Sequence, residues 1–217
     1  MKFLFSSIGQ KVQIALSGIL LAVFLLFHLF NNFALFAGKD TFNAMVKFLE
    51  SIKPIIRVME FGLLGIILVH TINAFKITLY NKRATGSKYK YNAQSETSSV
   101  NSRTMAISGT IVLLFLIIHL GFVWFTYQTT DSHDYYQILL QNKVGFLGHT
   151  PTAIFYIISI SLISFHLKHG FDSALKTFGI STNDKLGILY KLSIIFWAFI
   201  PFGFIFIVFC IQIGIIS

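Results

Sequence analysis

Five long apolar stretches divide the chain, separated by segments that are polar or mixed. A hydrocarbon core of about 30 Å is crossed by roughly 20 helical residues. Runs of at least that length lie near 12–37, 55–80, 105–127, 151–175 and 190–215. They are continuous Leu, Ile and Phe runs with interspersed Gly. The ten-residue alternation of a membrane barrel is absent from them, so the pattern predicts helices. The first run continues about 26 residues past Lys11 and carries a histidine, which separates it from a cleaved signal. The expected fold is all-α, one domain over 1–217: an integral membrane bundle of five transmembrane helices with no room for a separate soluble domain.

Composition agrees. The 217 residues are 55% hydrophobic and 12% charged, with mean hydropathy +0.74, outside the range of ordinary soluble domains. The basic residues set an orientation. With a cytoplasmic N-terminus, Lys2, Lys11, Lys76, Lys82, Arg83, Lys88, Lys90, Arg103, Lys168, Lys176, Lys185 and Lys191 lie inside. Lys39, Lys47, Lys53, Arg57 and Lys143 lie outside. That positive-inside bias runs the first, third and fifth spans outward. The net charge of +9 then reflects topology and lipid contact, and nucleic acid is not an expected partner. The polar, basic connection 81–104 reads as a cytoplasmic docking surface for a soluble partner. Residues 38–54 and 128–150 read as outward loops apolar enough to lie along the membrane surface.

His28, His70, His119 and His166 stand in the first four apolar runs. An ionisable group at such depth is costly and marks a cofactor, ion or proton site. His28 and His119 come late in outward spans, and His70 and His166 late in inward ones. At 1.5 Å per residue the two levels differ by roughly 12–15 Å. A bis-histidine haem takes two neutral imidazoles from helices facing each other across a bundle. The depths therefore pair His28 with His119 at an outer haem and His70 with His166 at a cytoplasmic haem. Hydrogen bonding of each histidine across helices is the alternative reading.

A short repeat accompanies the histidines: SGILLAVFLLFH ends at His28 and SGTIVLLFLIIH at His119, each with ten residues from Gly to His. About 15 Å of helix puts Ser17-Gly18 and Ser108-Gly109 level with the cytoplasmic pair. Glycine there lets a flat ring approach the backbone, and Ser17, Ser108, Lys11 and Arg103 are candidates for haem propionates. Close helix packing with snorkelling bases remains the other reading. His169, three residues after His166, is an alternative ligand or a propionate contact, and Gly170 would open space beside the ring. His133 and His149 read as surface groups. Glu60, ten residues before His70, falls near the outer level; it is a candidate proton group for a quinone, or an interfacial carboxylate paired with Arg57. Glu50, Lys53 and Arg57 complete the quinone-site candidates.

Cys210 is the only cysteine, so neither covalent haem attachment nor a cysteine-ligated iron-sulfur cluster can be built from this chain. No Walker loop or dinucleotide fingerprint occurs. Electrons must then come from a partner.

The opening SSIGQKVQIALSGILLAVFLLFHLFNN, the stretch NSRTMAISGTIVLLFLIIHLGFVW and the segment FHLKHGFDSALKTFG, with histidine in the first four of five helices, are similar to one family. The chain resembles the dihaem cytochrome b membrane anchor of succinate dehydrogenases and fumarate reductases with a single large anchor subunit, over essentially its whole length. The resemblance implies two b haems with His28, His70, His119 and His166 as axial ligands to iron. It also implies a quinone, often menaquinone, and flavoprotein and iron-sulfur partner subunits on the cytoplasmic side of a bacterial inner membrane, with a higher oligomer of the complex open. Succinate chemistry would belong to the partners and quinone reduction to this subunit. The rival expectations are a cytochrome b anchor of a hydrogenase or formate dehydrogenase, a haem-free proton-coupled transporter and a haem-free structural anchor.

Overall fold

The computed structural model of the chain describes residues 3–84, 100–180 and 187–217, without the side chains of 82–84 and 100–104. Among the described residues every regular element is helical. α1 covers Ser7–Phe33 and tightens into a 3-10 turn at Ala34–Ala37; α2 covers Lys39–Ser51 and α3 Lys53–Ala84. α4 (Val100–His119) passes through a π-helical turn, Leu120–Trp124, into α5 (Phe125–Thr129). The short α6 (Tyr135–Leu139) precedes α7 (Thr150–Thr177). α8 (Ile188–Ile194) continues through a second π turn, Ile195–Phe199, into α9 (Ile200–Gln212). Five stretches are long and apolar enough to cross a membrane: Ser7–Ala37, Lys53–Asn81, Met105–Thr129, Thr150–Thr177 and Ile188–Gln212. They overlap the five expected runs, with ends displaced by a few residues. The connection expected as a docking surface, 81–104, lies largely outside the described residues.

Local chemistry fixes the helix ends. Ser6 caps α1, its hydroxyl oxygen accepting from Gly9 N–H at 3.0 Å, which satisfies one of the first-turn donors. α7 carries Pro151 in its first turn, where the missing N–H costs nothing. It closes through Gly179 at φ +77°, with Ile180 N–H returning to the Leu175 carbonyl at 2.9 Å. In α9, Pro201 has no N–H for the Trp197 carbonyl four residues back. The Ser164 hydroxyl on α7 donates to that carbonyl instead.

α1 packs on α3 and α7, α4 on α7, and α9 on α7 and α1, while α3 and α4 touch only marginally. The densest packing lies at the end of the array where α1 finishes. Leu29 and Leu35 there join Phe42, Tyr135, Tyr136, Ile138, Leu139, Phe146, Leu147 and, from α9, Ile207, Val208 and Ile211. The segments expected as outward loops build this cap. Residues 39–51 are helical, and the apolar side chains of 135–147 turn inward because that is where they can be buried. Polar groups knit the cap. The Asn43 carbonyl accepts from Tyr136 N–H at 2.9 Å, its amide donates to Asp134 at 3.1 Å, and Lys39 pairs with Asp134 at 2.6 Å. The hydrogen bond from Lys39 is the main reason the Asp134 carboxyl sits below the usual carboxylate range. Gln212 donates to the Leu147 carbonyl at 2.6 Å, tying the cap to α9.

Candidate functional site

The four histidines form two pairs. The His28 and His119 rings lie 6.0 Å apart, centre to centre, at 73°; those of His70 and His166 lie 6.3 Å apart at 71°. Each pair draws one ring from the α1–α3 half and one from the α4–α7 half. Ser17 touches His70, and His28 is eleven residues further along α1, so the two levels differ by about 16 Å along the helix.

The serines hold the His70/His166 pair. Ser17 Oγ lies 3.1 Å from His70 Nδ1, and Ser108 Oγ 3.3 Å from His166 Nδ1. The Ser17 hydroxyl hydrogen is given to the Gln13 carbonyl at 2.6 Å, and that of Ser108 to the Met105 carbonyl at 3.0 Å. A hydroxyl has one hydrogen, so towards each ring the oxygen can only accept. Each ring then carries its proton on Nδ1 and keeps a lone pair on Nε2. The glycine beside each serine makes this approach possible. A Cβ on Gly18 would stand 3.3 Å from His70 Cε1, and one on Gly109 3.3 Å from His166 Cε1. The flat group that uses these glycines is thus the imidazole of the neighbouring helix.

The His28/His119 pair sits among aromatics. Phe24 stacks on His28 at 5.6 Å and Phe115 on His119 at 5.8 Å, while Phe204 lies 5.4 Å from His28. The buried Tyr156 hydroxyl lies 3.1 Å from His119 Nδ1, and the Asn32 amide 3.4 Å from His28 Nδ1. All four histidines therefore have a neighbour at Nδ1. Among the described residues no hydrogen bond reaches any of the four Nε2 atoms.

A first-row metal takes an imidazole nitrogen at about 2.0–2.1 Å, and a five-membered ring of ordinary bond lengths has its centre roughly 1.1–1.2 Å behind that nitrogen. Two imidazoles on opposite sides of one metal then have centres about 6.2–6.6 Å apart. The observed 6.0 and 6.3 Å lie within a few tenths of that span, although edge-to-face ring contacts also fall there. At His70 and His166 the serine oxygens are acceptors for Nδ1–H, the outer hydrogen bond that ligating histidines use, whereas the group nearest His28 Nδ1 is the Asn32 amide, itself a donor to the His28 carbonyl at 2.8 Å. Among the described residues no three metal-ligating side chains cluster, and each histidine pair by itself offers two nitrogen ligands.

The other candidates are placed as follows. His169 makes no ring contact with His70; that place belongs to His166. Gly170 faces Met105 Cε, 3.7 Å from an added Cβ, rather than a histidine ring. Lys11 lines a pocket with Lys76, and the Arg103 side chain lies outside the described residues. Glu60 pairs with Arg57 at 2.5 Å and accepts from Trp124 Nε1 at 2.9 Å; Arg57 also donates to Gln128. Burial, joined by the hydrogen bond that Tyr135 donates to Glu50 at 2.5 Å, pushes the Tyr135 phenol up to about 12. Lys53 is exposed. His133 is exposed, and His149 caps α7, 2.9 Å from Thr152 Oγ1. Two neighbours have no counterpart among the sequence candidates. Lys168 lies over Trp197 at 4.7 Å. Tyr156 stands ten residues before His166, the offset of Glu60 from His70, and that spacing is the signal that finds it.

Comparison of the chain with protein-family models, curated proteins and solved structures returned no match.

Proposed function

We propose that this chain is the membrane-anchor cytochrome b subunit of a succinate:quinone oxidoreductase, holding two b haems and passing electrons from an iron-sulfur partner to a quinone, with menaquinone the favoured acceptor. The carrying observation is the pair of cross-half imidazole sets, each within a few tenths of an ångström of metal-bridging separation, with no hydrogen bond to Nε2 among the described residues and Nδ1 provided with a neighbour. His28 and His119 would hold one haem, His70 and His166 the other. Bound there, haem supplies reversible one-electron chemistry at two levels of the bundle.

The remaining roles belong to the chain. Ser17 and Ser108 keep the protons of His70 and His166 on Nδ1, which orients both rings and makes them better donors. Phe24, Phe115, Tyr156 and Phe204 exclude water from the His28/His119 level. Glu60, held by Arg57 and Trp124, is the carboxylate near that level that can carry a proton for quinone reduction. The five apolar spans support a multi-pass membrane protein; on this reading it sits in the bacterial inner membrane, and the distribution of basic residues favours a cytoplasmic N-terminus. In that setting the flavoprotein and iron-sulfur subunits would dock on the cytoplasmic side.

The test is a dithionite-reduced minus oxidised spectrum of the purified full chain, with pyridine haemochrome quantification. Two b haems per chain are expected. Folded protein without haem would overturn the reading in favour of a transporter or a bare anchor. Partner identity is read separately. Co-purification of a flavoprotein and an iron-sulfur subunit with succinate-dependent quinone reduction is expected, whereas hydrogenase or formate dehydrogenase subunits would assign the chain to another complex.

A further inference from the structure

We propose that the pocket between the start of α1 and the end of α3 is a binding site for the phosphate headgroup of an anionic phospholipid. The pocket has a volume of about 580 Å³ and is lined by Ser7, Gln10, Lys11, Lys76 and Tyr80, with Phe5, Ile77 and Leu79 as its apolar wall. Its two lysines come from different helices, and no carboxylate is among the lining residues. Among the described residues neither lysine belongs to an ion pair, the pairs there being Lys39 with Asp134 and Arg57 with Glu60.

Two ammonium groups beside a hydroxyl and an amide give the donor set for a phosphate. Phosphate is recognised by lysine as a point charge, without a fixed fork. The volume and the apolar wall exceed what a free phosphate uses and fit an amphiphile whose glycerol and first methylenes lie against Phe5, Ile77 and Leu79. Position agrees as well. Ser7 opens α1, and Lys76 and Tyr80 lie in the last turns of α3, which runs to Ala84, so the pocket falls near the ends of both helices, at the level of the headgroups. Basic pockets between helices on the cytoplasmic side take anionic lipid in this way. The inference rests on the membrane placement of the five spans and is independent of whether haem is bound.

The test uses the full chain, purified in detergent and exchanged into vesicles of phosphatidylcholine with increasing phosphatidylglycerol. Bound phosphatidylglycerol is counted after re-extraction, and the haem spectrum is recorded in parallel. Saturable retention of phosphatidylglycerol is expected. K11Q with K76Q should weaken it about 30-fold, each lysine near a headgroup contributing about five-fold. K11R with K76R, which keeps both charges, should retain most of it and guards against a folding defect. Millimolar inorganic phosphate should leave lipid retention unchanged. Equal retention by the K11Q/K76Q protein overturns the proposal. Full displacement by inorganic phosphate overturns it in favour of a soluble anion. Loss of haem absorbance from K11Q/K76Q with lipid retention intact overturns it in favour of the cofactor's own carboxylates.

Discussion

At the scale of single residues, Ser17 governs the chemistry of a ring on another helix. Its hydrogen is committed to Gln13, so it accepts from His70 and fixes the tautomer that presents Nε2. S17A, and equally S108A, should lower the affinity of the His70/His166 site for haem about 10–100-fold, the usual cost of removing such an outer partner. Haem titration of apoprotein measures this, and an affinity unchanged in both variants contradicts the tautomer argument. H70A or H166A should remove one haem, and H28A or H119A the other. A spectrum in which no single substitution removes a distinct haem would dissolve the pairing. Tyr135 has a pH signature. Its folded pKa, about 12, lies above the unfolded value of about 10. The protonated phenol therefore contributes stability that is full below pH 10 and lost as pH rises through 12. Alkaline unfolding of the wild type should steepen in that window, and Y135F should remove that component; an identical pH profile in Y135F would refute the assignment.

Among elements, the α1–α9 contact is the most sensitive to volume. A Cβ on Gly203 would come within 2.8 and 2.9 Å of the Leu29 methyl carbons, and Leu29 is fully buried next to His28. G203A should cost about 1–3 kcal/mol, the range for overpacking a tight core, and denaturation in detergent would show it. A melting point equal to wild type would mean that Leu29 has room to move. Element positions were legible in the sequence where geometry is rigid. The rise of a helix is fixed, so the levels of His28, His70, His119 and His166 follow from counting residues, as does the level of Ser17 and Ser108. Rotation about the helix axis is not readable in this way. Counting alone could not tell that Ser17 meets an imidazole, that Gly170 meets Met105, or that Tyr156 supports His119. The helix in 38–54 escaped for a related reason. Its burial comes from side chains of 135–147 that are remote in sequence.

For the molecule as a whole, the exposed apolar surface of α3, including Phe61, Leu64, Leu68, Ile72 and Phe75, is far more than a water-soluble monomer carries. The orientation proposed from the basic residues has a direct test. Cys210 is buried, so a cysteine at Lys143 should react with an impermeant maleimide from outside intact cells, and one at Ser87 only after lysis. The reverse labelling would invert the topology and move the docking side with it.

The two histidine pairs also set an order of events during synthesis. Each pair takes one ring from each half of the chain, so His28 and His70 leave the ribosome with no partner. The first pair is complete when His119 has emerged. The second must wait for His166, and Tyr156, which supports His119, arrives only ten residues before it. A chain stalled after its second span has neither pair. One stalled after its third has only the His28/His119 pair, still without its tyrosine. On the proposed reading, a second haem can load only after His166 has emerged, and a product truncated after the third span keeps the ligands of one haem alone.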